Sequence, residues 1–283
     1  MHGILITMLI VGADAGVSSV DFDTQVIPVL TKAGCNAGAC HGAAVGRGEF
    51  RLSLYGGDSD LDYRSIVHEL EGRRVNLSRP NESLLLLKAT ESINHGGGPR
   101  LDLDGAGVEL LRQWITEGAL RTQTATLKHF SVMPRSHVAD HVGAIVDLKA
   151  VASFSHGSEI DVTPWTVFTA EDAAAVEIDA ETATAKVLRR GRHIVVARYL
   201  DHVVPIEIVV PLSDEVVDLS KEPRRHFIDD HILATLEVLR LPVSPPANDA
   251  AFLRRVTLDL TGRLPTPSKQ SEYLNNQSST NRE

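Results

Sequence analysis

Cys35-Asn36-Ala37-Gly38-Ala39-Cys40-His41-Gly42 is the stretch on which the reading of this chain turns. The chain holds two cysteines, and both lie here, with a histidine directly after the second. Two thiols can each add to a vinyl group of a haem, and an imidazole next to the second thiol can reach the iron. The usual attachment spacing puts two residues between the cysteines; here four intervene. Two other chemistries fit the same atoms. An exported chain can close such a pair into a disulfide, and a zinc site could use both thiols, although only His41 is at hand as a third ligand.

Working outward, Phe22, Val26, Val29, Leu30 and Ala33 fall at helical spacing and Gly34 stops that helix just before Cys35. Val108, Leu111, Trp114 and Ile115 form a second apolar stripe, closed by Gly118. Asp62–Gly72 and Glu82–Ala89 read as two shorter helices between them, the latter started by Pro80-Asn81-Glu82. A first helix leading into Cys-His and a last helix bearing an aromatic resemble the outline of a class I cytochrome c.

From about residue 125 the period changes to two. Val146, Leu148, Ala150, Ala152 and Phe154 alternate with their neighbours, as do Val195, Ala197 and Tyr199, then Ile206, Ile208 and Val210. Turn residues separate these runs, at His156-Gly157-Ser158, Arg190-Gly191 and Asp201-His202. Half-buried strands at that spacing predict a small β-sandwich, with Trp165 as a core aromatic. Ser213–Pro223 reads as a polar linker. Helical spacing returns in residues 224–264, broken by Pro242, Pro245 and Pro246, and the tail from Pro265 is too polar to fold alone.

The fold class expected is therefore multidomain: an all-α cytochrome c-like domain, an all-β immunoglobulin-like sandwich and a partial helical segment. The boundaries are 1–19 for a secretory signal, 20–124, 125–213 and 214–283. The signal is read from the apolar run Ile4–Val11 followed by Ala13-Asp14-Ala15, a small-residue cleavage pattern. Export fits thiols placed for covalent haem, and the expected location is the periplasm or cell envelope. No other run reaches the ~18 apolar residues of a membrane span.

Composition narrows the function classes. Lys+Arg 28 against Asp+Glu 37 gives a net charge of −9. That balance makes the chain a poor nucleic-acid binder, because phosphate contacts need clustered Lys and Arg, and no nucleic-acid partner is expected. Gly-x-Ser-x-Gly, a phosphate loop and His-Glu-x-x-His are all missing, so no catalytic residue is assigned. Asp102 and Asp104 lack the remaining positions of a calcium loop and read as a helix start.

Three stretches carry a family resemblance. Residues 20–120, through Phe22, Val26, Pro28, the Cys35–Gly42 motif, Phe50-Arg51-Leu52-Ser53-Leu54, Pro80–Ser83, His95–Gly98 and Trp114–Ala119, resemble the cytochrome c-like domain of planctomycete-type multidomain proteins. The four-residue spacing between cysteines occurs in that family. Phe154–Ser158, Asp161-Val162-Thr163, Trp165 and Gly191–Ala197 are similar to a bacterial immunoglobulin-like domain of group 2. Phe252–Pro265 is similar to the start of a domain of unknown function that follows these modules.

The resemblance implies one covalent haem c on Cys35 and Cys40, with His41 as one iron ligand. The chain has no methionine between Met8 and Met133, and His95, before Gly96-Gly97-Gly98, stands where a second ligand is needed. His41 and His95 are the expected metal ligands, with His68 the rival for the second place. Arg47, Arg51, Arg73, Arg74 and Arg100 are candidates to meet the haem carboxylates. The function expected is one-electron transfer to an unidentified redox protein, an electron carrier rather than a catalyst. The sandwich is expected to serve as a spacer, or to contact the envelope or its polysaccharide. Two other outcomes stay open: a haem-free envelope protein with a Cys35–Cys40 disulfide, and the electron-delivering part of a larger enzyme.

Overall fold

The computed structural model describes residues 19–122 and 125–276. The expected signal segment falls almost wholly in residues 1–18, outside the described residues. The chain divides into two compact units, with the boundary between Leu212 and Ser213. Both helices and β-sheets are present, as expected of a multidomain protein.

The first unit begins with Asp21, whose carboxylate accepts the amide and hydroxyl of Thr24 at 2.9 and 3.0 Å. This cap starts one wide turn, Phe22–Val26, which runs into helix α1, Ile27–Lys32. Helix α2, Ser59–Tyr63, is capped by Asp58 and followed by further helical turns to Gly72. Helix α3 spans Leu84–Ala89 and helix α4 spans Ala106–Thr116. Phe22, Val26 and Leu30 are buried together with Val108, Leu111, Trp114 and Ile115. The Phe22 ring lies 5.4 Å from Trp114 and meets Tyr63 edge-on at 5.1 Å. Each such side chain contributes about 1.5–3 kcal/mol by leaving water. The first and last helical segments thus close on each other, and the loop after α1 is held at the edge of their core.

Ten strands follow: β1 Leu127–Met133, β2 Ser136–Val138, β3 Ile145–Asp147, β4 Lys149–Phe154, β5 Glu159–Asp161, β6 Val167–Ala170, β7 Val176–Asp179, β8 Thr184–Val187, β9 Gly191–Tyr199 and β10 His202–Val210. They form sheets in the orders β1-β4-β5, β2-β10-β9-β6 and β3-β8-β7. All pairs are antiparallel except β2 with β10. Val195, Ala197, Tyr199, Ile206, Ile208 and Val210 all point into one sandwich-like core, as their alternation requires.

The helical part and the sandwich belong to the same unit and grip one another. Tyr199 donates its hydroxyl to the Thr24 carbonyl at 2.7 Å. Lys32 donates to the Thr166 carbonyl at 2.7 Å and lies 5.9 Å above the Phe168 ring. Arg198 sits 5.0 Å above the Tyr55 ring. Trp165 is not a sandwich core residue as expected. It lies half-buried on a turn, Thr163–Trp165, and packs against both hydrophobic clusters. A ring placed between two cores is apolar on both sides, which a two-residue period cannot reveal.

The second unit carries helices α5 Phe227–Leu239, α6 Asp249–Thr261 and α7 Pro267–Asn275. His226 and Asp229 form a reciprocal cap at the start of α5, and Gly262 ends α6 with φ +67. Within the tail, Thr266 caps α7, Pro267 opens it and Tyr273 stacks near Phe252 of α6, so this helix is not formed alone. Among the described residues no helix is long and apolar enough to cross a membrane.

Candidate cofactor pocket

Gly34, at φ +74, ends α1 in the left-handed conformation that favours glycine. The chain then folds into overlapping turns. Cys40 N–H donates to the Ala37 carbonyl at 2.9 Å, His41 N–H to Cys35 at 3.0 Å and Gly42 N–H to Ala37 at 3.1 Å. These turns absorb the two residues by which the cysteine spacing exceeds the usual one. Gly42 is required by close approach, since a Cβ there would stand 2.0 Å from the Asn36 carbonyl oxygen. Outside contacts fix the loop further: Leu52 N–H donates to the His41 carbonyl and Tyr55 N–H to the Asn36 carbonyl.

The loop forms one wall of a cavity of about 760 Å³, within the ~300–1,000 Å³ of small-molecule and cofactor sites. Cys35, Cys40, His41 and His95 all line it. Its apolar lining includes Leu30, Phe50, Leu85 and Ala89, and the cations Arg47, Arg73, Lys88 and Arg100 also border it. Both cysteines are free thiols, with no disulfide between them. Cys35 packs against the helical core, and burial pushes its thiol up to about 11, with a smaller push from Cys40. Arg100 reaches within 3.8 Å of the Cys40 sulfur.

The two histidines meet across this space. Their ring centroids lie 6.1 Å apart, and their planes are within 15° of parallel. Each uses Nδ1 locally. His41 Nδ1 lies 3.1 Å from both the Arg47 and Phe50 carbonyls, and His95 Nδ1 lies 2.9 Å from the Gly98 carbonyl. A neutral imidazole that donates from Nδ1 keeps its lone pair on Nε2. Burial lowers the His41 pKa, and the backbone carbonyls offset this only in part, so the neutral ring is favoured.

His68 is exposed, packs its ring edge-on to Tyr63 at 5.4 Å and does not line the cavity. Arg51 also lies outside the lining. Arg74 lines the cavity but is committed elsewhere: it donates to the Ser65 and Glu49 carbonyls at 2.6 and 2.5 Å and lies 4.5 Å above Phe50. Arg47, Arg73 and Arg100 stay exposed at the cavity. Phe50, 4.6 Å from the His41 ring, and Lys88 belong to the wall too. No local signal gives either residue a place at the cavity, because the loop after Gly42 and helix α3 are far apart until the chain folds.

The lining brings two thiols, two imidazoles and cations able to meet carboxylates around a cavity of cofactor size. Among the described residues no group of three or more His, Cys, Asp or Glu side chains could hold a metal ion.

A family model described as PSCyt2, a protein of unknown function (DUF1549), matches residues 227–283. No curated protein matches the chain. Solved structures with some similarity are domains of the S-layer protein SbsC. Domains 4 and 5 are 11% identical with a TM-score of 0.26, covering 31% of this chain and 53% of that one. Domains 5–6 are 12% identical with a TM-score of 0.27, covering 34% and 49%. This chain thus spans about half the length of each. Scores of this size carry no argument about architecture or role.

These findings correct the expectation of a metal-binding cytochrome. The matching family is one of unknown function, and among the described residues the donors needed for a metal ion do not converge. The physical reason is the donor count. Two imidazoles and two thiols are spread around a wide cavity, and any metal there would have to arrive with donors of its own.

Proposed function

We propose that the cavity of the first unit is the seat of a flat, carboxylated ring cofactor, haem, joined covalently to Cys35 and Cys40. The observation that carries this reading is the pair His41 and His95, near-parallel at 6.1 Å across a cavity walled by both thiols. Their Nδ1–H groups are held by backbone carbonyls, which orients each ring and frees Nε2. Leu30, Phe50 and Leu85 supply the apolar bed, and Arg47, Arg73 and Arg100 can meet carboxylates. When bound, such a group supplies one-electron oxidation and reduction. The chain's part would be to hold it through Cys35 and Cys40, line it with apolar side chains and set its exposure to an unidentified redox partner. Cell-envelope placement belongs to the same proposal, since the thiols need an attachment step outside the cytoplasm.

The test is expression of the full chain in a host competent in haem attachment, followed by mass spectrometry and visible spectroscopy. The expected result is one added haem mass that survives acid-acetone extraction, lost in Cys35→Ala/Cys40→Ala. His95→Ala should change the spectrum while the covalent mass remains. Colourless protein with the two sulfurs joined to each other overturns the reading. That result is what a second reading expects, a haem-free envelope protein with a Cys35–Cys40 disulfide. Its support is that the described side chains form no metal-holding group.

A further inference from the structure

Three contacts from the sandwich converge on the chain segments that carry the cysteine loop. Lys32 stands three residues before Cys35. Its ammonium is drawn out of water to the Thr166 carbonyl, 2.7 Å away, and lies over Phe168. Thr166 is buried, so its carbonyl has no ready solvent substitute. Arg198, on β9, covers the Tyr55 ring at 5.0 Å. Tyr55 has φ +54, a strained conformation for a side chain of its size, and its N–H donates at 3.1 Å to the Asn36 carbonyl between the two cysteines. Gly56, directly after it, has φ +76, and a Cβ there would stand 2.3 Å from Ile27 in α1. Tyr199, next to Arg198, holds the Thr24 carbonyl at the root of the same helical segment.

The loop is therefore supported from both ends by a module that contributes no residue to the cavity lining. Few buried apolar side chains lie within residues 35–42 themselves, so the loop's order has to come from its neighbours. A strained Tyr55 persists only where surrounding contacts fix it, and the sandwich supplies one of them through Arg198.

We propose that the immunoglobulin-like sandwich is a clamp for the cysteine loop, with Lys32 and Arg198 as its positioning residues. The sandwich is on this view part of the pocket's support and not a spacer. By linkage, whatever fills the cavity and orders the loop also tightens the contact between loop and sandwich. The inference does not depend on the nature of the cofactor.

The experiment is native-state hydrogen exchange on the reduced full chain, compared with Arg198→Met and with Lys32→Met/Arg198→Met. Arg198 is half-exposed and Met preserves its apolar stem, so the single variant should fold. The amides of His41, Gly42, Leu52 and Tyr55, all hydrogen-bonded in the loop, are the readout. In the double variant they should exchange on the order of tenfold faster, and in the single variant less so, while α4 and β4 amides keep their rates. Unchanged loop amides in both variants overturn the proposal. Equal acceleration of loop, α4 and β4 also overturns it, since that is general destabilisation. The assay contains no haem, so failure to bind haem and failure of the clamp are separate results.

Discussion

Replacing Tyr199 by Phe removes one oxygen from the contact between the helical part and the sandwich. Tyr199 is 2% exposed, and its hydroxyl donates to the Thr24 carbonyl at 2.7 Å. Burial, with help from the Asp21 carboxylate, raises its pKa, so the hydroxyl stays protonated and remains a donor across the accessible pH range. The Phe ring keeps the packing against Phe130, whose centroid is 5.7 Å away. What is lost is the hydrogen bond, and the buried carbonyl loses a partner. The cost is about 1–3 kcal/mol. For a unit of this size each kcal/mol lowers the melting temperature by about 2–4 °C, so the expected fall is about 2–12 °C. The informative assay follows Trp114 fluorescence in a Trp165→Phe background. Trp114 is then the sole tryptophan and lies in the helical core, away from the mutated strand. A fall in the Trp114 transition means that sandwich and helices unfold together. An unshifted Trp114 transition, with only the sandwich signal moving, refutes the reasoning that the two parts form one cooperative unit.

Two further outcomes can be checked by similar means. Gly42→Ala forces a Cβ to within 2.0 Å of a backbone oxygen, and a denaturant titration should show a loss of about 1–3 kcal/mol or more; an unchanged midpoint would mean the loop is looser than drawn. Asp62 is fully buried, and burial outweighs the bonds from Ser53 in raising its pKa. The folded state therefore holds this proton more tightly than the unfolded state, so the stability it gives is present at acid pH and lost as pH rises through the raised value. Asp62→Asn should gain stability relative to the parent as pH rises above the ordinary carboxylate value of 3.8, and a flat or opposite trend in melting temperature would contradict this assignment.

The sequence went far where the physics is local. Spacing of 3.6 marks the helices, because Phe22, Val26 and Leu30 must share a face to meet Trp114. Alternation marks the strands, because a pleated strand has two sides and Val195, Ala197 and Tyr199 share one. Gly34 before Cys35 and the Cys-His adjacency are likewise properties of a few neighbouring residues. The sequence also singled out both thiols, His41 and His95 as candidates.

Distance across the chain is what it could not supply. That His95, and not His68, lies beside His41 depends on how the loop ahead of α4 folds, which no periodicity encodes. Arg74 and Arg100 look alike as letters. One is spent on two backbone carbonyls inside the fold and the other stands beside Cys40. The sandwich read as a separate module, because its own pattern is complete in itself. Only the tertiary structure decided that Tyr199, Arg198 and Thr166 reach the helical part, since a two-residue period says which side of a strand a residue faces and not which distant segment is brought against it.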